Sequence, residues 1–207
     1  MRYSTVIADD DLISRQYFEY TVSSSVKYQI YASFPDVSEA AGFCRINRPA
    51  LVLMGIGAAS ANDVFDAAGK IRHSCSDTKI ILAASLPEVS WLRRAEKAGA
   101  DSFWYKQFQD MPLRDILDRT MQGESVFPKK TPAVQIGNIR SDELTARELE
   151  VLRELITGET SKVIAGKMRI TEMTVRNHII NMLQKTGFKT RTELAVAARA
   201  KGIVIKD

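Results

Sequence analysis

The sequence predicts an α/β chain in which a doubly wound parallel sheet of five β–α units precedes a small all-α domain of four helices. Three observations carry this. Short β-branched runs alternate with longer helical patterns through residues 1–122. Residues 123–142 then lose all period and carry two prolines and two glycines. From residue 143 a helical period returns and holds almost to the end.

In order, Tyr3–Ala8, Tyr28–Phe34, Leu51–Met54, Lys79–Ala84 and Ser102–Tyr105 read as strands, each short and rich in β-branched, aliphatic or aromatic residues. Helical patterns fill the gaps at about Leu12–Ser24, Val37–Ile46, Asn62–Ser74, Val89–Ala98 and Leu113–Gln122. Strict alternation implies a parallel sheet covered on both faces, with any site at the carboxyl ends of its strands. Residues 123–142 read as a linker between a domain of 1–122 and one of 143–207. In the latter, Thr145-Ala-Arg-Glu148 and Thr190-Arg-Thr-Glu193 each place a hydroxyl at a helix start and a carboxylate three residues on, the pattern of a capping box. Four helices follow, at about 146–157, 162–168, 172–185 and 191–201.

Composition bounds the function. The longest apolar run, Ala50 to Ala59, is far short of the roughly 20 residues a membrane span needs. The N-terminus lacks the apolar stretch of a signal peptide, so a cytoplasmic protein is expected. Cys44 and Cys75 have no metal-binding or redox spacing and read as free thiols. His73 and His178 are too far apart to suggest a metal site, and neither a cofactor nor an enzymatic activity is expected.

Charge is uneven. Residues 1–122 hold 14 Lys/Arg against 15 Asp/Glu, whereas Thr160 to Lys206 holds 10 basic residues against Glu172 and Glu193 alone. A near-neutral domain tied to a basic one points to a polyanion at one end.

Within the basic stretch, a short helix from Lys162 ends near Met168, Ile170-Thr171 forms a turn, and Thr171 can cap the next helix. There Val175, Ile179 and Met182 recur at i, i+4 and i+7 as a buried stripe, leaving Arg176, Asn177, Ile180 and Gln184 on the opposite side. Such a face suits the major groove of double-stranded DNA: Arg pairs with guanine, Asn or Gln with adenine, and an exposed Ile meets a thymine methyl. Lys162, Thr174 and Lys185 are expected to bind phosphates.

The pattern Leu144-Thr145-Ala-Arg147-Glu148-Leu-Glu150-Val151-Leu152, Gly158, Ser161-Lys162-Val163-Ile164-Ala165, Ile170-Thr171, Thr174-Val175-Arg176-Asn177-His178, Asn181-Met182, Lys185-Thr186-Gly187 and Arg191 resembles the LuxR-type (GerE) helix-turn-helix of NarL/FixJ response regulators. The resemblance places Arg176, Asn177 and Ile180 at base-contacting positions, where Ile180 replaces a frequent lysine. His178 matches a family histidine, with a structural or phosphate-side role expected. Members pair through the last helix, so a homodimer using Leu194, Val196, Ala197, Ala198 and Ala200 is implied, reading an inverted repeat.

The first domain resembles a CheY-like receiver. Asp9 and Asp10 stand at the place of the acidic pair that holds Mg²⁺, Lys106 at that of the phosphate-contacting lysine and Phe103 at that of the switch aromatic. Gly55 occupies the position of the phosphoacceptor aspartate, and Ala83 that of the Thr or Ser beside the phosphoryl group. The resemblance therefore implies an atypical receiver that acts without aspartyl phosphorylation, with Lys106 neutralising the two carboxylates in place of a metal. The alternatives are a receiver remnant acting as a protein-interaction module and a conventional regulator phosphorylated at another aspartate. The space beside Gly55 and Ala83 is open to a small ligand or to nothing. Trp91, Trp104 and Tyr105 read either as a surface for an unknown protein partner or as core.

Overall fold

The computed structural model describes residues 2–108 and 111–205, which form two compact units. The first comprises residues up to Leu86 and Ser90–Lys130. The second takes in Pro87–Val89 and the chain from Thr131 onward.

In the first unit β1 (Tyr3–Ala8), β2 (Tyr28–Phe34), β3 (Leu51–Ile56), β4 (Lys79–Ala84) and β5 (Ser102–Tyr105) alternate with α1 (Leu12–Ser23), α2 (Val37–Asn47), α3 (Ala61–Ser74), α4 (Trp91–Lys97) and α5 (Leu113–Met121). The sheet is wholly parallel in the order β2-β1-β3-β4-β5. Its order reverses beside β1, which places the crevice of an open α/β sheet at the ends of β1 and β3. Every residue of β3 is buried, as expected of a strand covered on both faces. Alternate strand residues, among them Ile7, Leu53, Ile81, Ala83 and Trp104, pack with Phe18 and Val22 of α1 and with Leu113, Ile116 and Leu117 of α5. The Asp11 carboxylate caps α1 by accepting from the Ser14 amide at 2.7 Å.

The second unit holds α6 (Ala146–Leu155), α7 (Ser161–Met168), α8 (Glu172–Thr186) and α9 (Arg191–Ala200), around Val151, Leu152, Ile164, Val175, Met182 and Leu194. A threonine opens each of the four: Thr145, Thr160, Thr171 and Thr190. The Thr145–Glu148 capping box is complete. At Thr190 only half of the predicted box forms, because the Glu193 carboxylate accepts from the Lys189 amide instead.

Three elements differ from expectation. β3 continues two residues beyond Met54, since Gly55 and Ile56 pair with Ala83 and Ala84. Helix α4 begins at Trp91 rather than Val89, after Pro87. The stretch read as a linker is structured in part. Val126 bridges to Ser102, and β6 (Gln135–Ile136) pairs with β7 (Ile139–Arg140) in a hairpin turned by Gly137-Asn138, with Ile136 buried in the helical core.

Candidate functional site

Two groups of residues carry chemistry, one in each unit. In the second, α7 ends on Arg169 in the left-handed conformation, Ile170 and Thr171 make the turn, and Thr171 Oγ1 accepts from the Thr174 amide at 3.1 Å to start α8. This local geometry comes from the cap. With its side chain committed to the Thr174 amide, Thr171 fixes where the helix begins and hence which residues face outward.

Val175, Ile179 and Met182 are buried, as the helical period predicts. Arg176, Asn177 and Gln184 are exposed and Ile180 is half-exposed, so the expected reading face is presented to solvent. Met173, which sequence reasoning passed over, stands on the same face. Its signal was available as an apolar residue seven positions before Ile180 and out of phase with the buried stripe. Arg176 donates from both Nε and a terminal nitrogen to Glu172 Oε1, at 3.1 and 2.7 Å. Such an exposed pair is weak enough to yield to a competing acceptor.

Among the expected phosphate contacts, Lys162 is exposed on α7, and Thr174 is half-buried with its hydroxyl 2.8 Å from that of Thr171. Lys185 is placed differently. Its ammonium donates to Glu148 Oε2 at 2.8 Å and to the Glu143 carbonyl at 3.4 Å, joining α8 to the start of α6. Burial raises the Glu148 carboxyl, but bonds from Lys185 and Thr145 outweigh it and hold the group below its ordinary value. Lys185, expected as a phosphate contact, is thus engaged by a buried carboxylate within its reach. His178 is half-buried. On α9, Leu194 and Ala198 are consumed by the unit's own core, which leaves Val196 and Ala200 as its exposed apolar residues.

In the first unit the carboxyl ends of β1, β3 and β4 and the residue after β5 bring together Asp9, Gly55, Ala83 and Lys106. Asp9 is 1% exposed. Its Oδ2 accepts from the Lys106 ammonium at 2.6 Å and its Oδ1 from the Asp11 amide at 3.0 Å, while Lys106 also reaches Ser14 Oγ at 3.1 Å and lies over the Phe18 ring. Burial pushes the Asp9 carboxyl above its ordinary value, and Lys106 pulls it only part of the way back. A β-carbon added to Gly55 would overlap the Asp9 carboxylate, so the space beside Gly55 is filled by protein.

This set does not fit magnesium. One carboxylate is committed to an ammonium, Asp10 is exposed with its carboxylate beside Gly57, and Gly55 offers no side chain, whereas Mg²⁺ demands near-octahedral oxygen ligation. Phe103 is buried against Tyr105 and Phe127, and Trp104, rather than Phe103, pairs in register with Ala83. Trp91, Trp104 and Tyr105 are all buried, which decides for core packing; the Trp104 indole stacks on Tyr17 and donates to the Met111 carbonyl.

Residues 142–198 match the family of bacterial regulatory proteins, luxR family. Over 96% of its length the chain is 26% identical to the uncharacterized transcriptional regulatory protein YxjL of Bacillus subtilis (strain 168), covering 95% of it. It is 25% identical to the response regulator protein VraR of Staphylococcus aureus, over 96% of this chain and 97% of that one. Among solved structures, RcsB dimers bound to two parallel DNAs align with a TM-score of 0.63 at 15% identity, covering 97% of this chain and 99% of that chain. A LuxR-family response regulator from Aurantimonas sp. SI85-9A1 aligns at 0.54 and 19% identity, over 64% and 91%. The fold is the one these structures share, and residues 142–198 form a luxR-family domain. A receiver-like α/β unit followed by a luxR-family helix-turn-helix domain is the arrangement of a DNA-binding, transcription-regulating response regulator, and the chain is similar to such regulators over nearly its whole length.

Proposed function

We propose that this regulator reads double-stranded DNA in a sequence-specific way, as a homodimer, and does so without an aspartyl phosphate. Arg176, Asn177 and Ile180 read bases; Lys162 and Thr174 hold the backbone; His178 supports the helix from its half-buried position.

The observation that carries the phosphate-independent mode is the Asp9 carboxylate, held by Lys106 against Gly55. An acyl phosphate needs a carboxylate nucleophile and a cation to steady the transferred group. Position 55 has no nucleophile, and the cation near it is a lysine already paired with Asp9. The DNA-reading mode is supported by the exposed face of α8, by the excess of basic residues between Thr160 and Lys206, and by the luxR-family match. Pairing is supported by Val196 and Ala200, one helical turn apart on α9, and by the dimers in which the structurally similar RcsB is found on DNA.

The test is recovery of genomic DNA by the untreated full-length protein, followed by sequencing. Enrichment of an inverted repeat with half-sites about 10 base pairs apart is the expected result. Acetyl phosphate with Mg²⁺ should leave the protein's mass unchanged; a gain of one phosphoryl group would remove the phosphate-independent reading.

A further inference from the structure

Helix α8 exposes two bulky apolar side chains where surface helices normally carry polar ones. Met173 is 65% exposed and Ile180 49%. Seven residues of α-helix bring them within about 20° of the same direction and about 10 Å apart along the axis. Arg176 and Asn177 lie between them, one to each side of the line that joins them. The buried residues Val175, Ile179 and Met182 face the core, so this apolar–polar–apolar strip faces outward.

Single exposed apolar residues are common and mean little. Two in register, bracketing an arginine and an asparagine on the helix after a tight turn, are a different arrangement. Neither side chain can bond a phosphate, so neither adds to backbone attraction. The apolar feature of the major-groove floor is the C5 methyl of thymine. Base pairs are stacked about 3.4 Å apart, so the Met173–Ile180 separation spans two to three steps.

Resting on the DNA-reading function proposed above, we infer that Met173 and Ile180 are specificity-determining residues that each contact a thymine methyl. Each half-site therefore carries two thymine-containing pairs, two to three steps apart, flanking those read by Arg176 and Asn177. Met173 supplies a flexible thioether arm that follows small shifts of its methyl. Ile180 is branched and stiff, and so fixes the register more tightly.

The experiment uses the full-length protein and the sequence recovered from genomic DNA. Each thymine of one half-site is replaced in turn by deoxyuridine, which deletes the methyl and leaves the hydrogen-bonding edge intact. Binding should weaken about fourfold at two positions and stay level at the others. Ile180→Ala should abolish the loss at one of those positions and Met173→Ala at the other, with unchanged melting of both exposed-site variants. Specific binding that is indifferent to every uracil, or uracil sensitivity that both variants retain, overturns the inference while leaving DNA reading intact. Failure to enrich any sequence overturns both.

Discussion

The Lys106 ammonium lies 2.6 Å from the Asp9 carboxylate, with 12% and 1% of the two side chains exposed. A pair this enclosed is costly to form and more costly to break on one side, because the survivor keeps its charge without a partner.

Lys106→Met should therefore destabilise the first unit by about 3 kcal/mol. Asp9→Asn added to Lys106→Met should recover part of that loss, since a neutral amide tolerates burial better than an unpaired carboxylate. Urea unfolding of the two variants measures both effects. If Lys106→Met costs nothing, the pair is not a structural element.

Gly55→Asp tests the vacant acceptor position directly. The added side chain meets the Asp9 carboxylate, so this variant should lose stability by roughly 1–3 kcal/mol, as overpacked cores do. It should also stay unmodified by acetyl phosphate with Mg²⁺. Intact-mass measurement decides, and efficient phosphorylation of Gly55→Asp alone would show that Asp9 gives way easily.

Acid should loosen the second unit through Glu148. Burial alone would raise this carboxyl, but Lys185 and Thr145 hold it below its ordinary value. A depressed folded value means stability that is complete above the ordinary carboxylate range and is lost as pH falls through the folded value. Thermal unfolding from pH 7 downward should show the loss below about pH 4, and Glu148→Gln should flatten that part of the curve.

The placement of Lys185 separates two lysines that resemble each other in sequence. Lys185→Met should lower stability, because it strands Glu148, while Lys162→Ala should leave melting unchanged and reduce the salt slope of DNA binding by about one unit. Arg176→Ala should cost about 1–3 kcal/mol of discrimination at one base position. Titrations at several salt concentrations distinguish these outcomes. A flattened slope with normal melting in Lys185→Met would return that lysine to the DNA backbone.

The sheet was readable because each strand is a compact apolar run between helical patterns; Tyr3–Ala8, Tyr28–Phe34, Lys79–Ala84 and Ser102–Tyr105 were placed to the residue. The β6–β7 hairpin was not, since its strands are two residues long and produce no period. Its one local mark is the Gly137-Asn138 turn between two isoleucines. The exposed face of α8 followed from periodicity alone. The Lys185–Glu148 contact could not, because it joins residues 37 positions apart and depends on how α8 crosses α6. The filling of the space beside Gly55 was likewise hidden, as it turns on which way the Asp9 side chain rotates.

The overlap between Asp9 and any side chain at position 55 also bears on evolution. Two of the four glycine codons lie one nucleotide from an aspartate codon, so one base change is enough to place a carboxylate at such a position. That carboxylate would meet an occupied space, because a side chain at position 55 overlaps the Asp9 carboxylate. Asp9 and Lys106 stand where the resemblance places a metal ligand and a phosphate contact, so an acceptor at position 55 calls for the Asp9 side chain to turn aside, not for either residue to be replaced. The Asp9–Lys106 pair thus stands between a single substitution at position 55 and room for a carboxylate there.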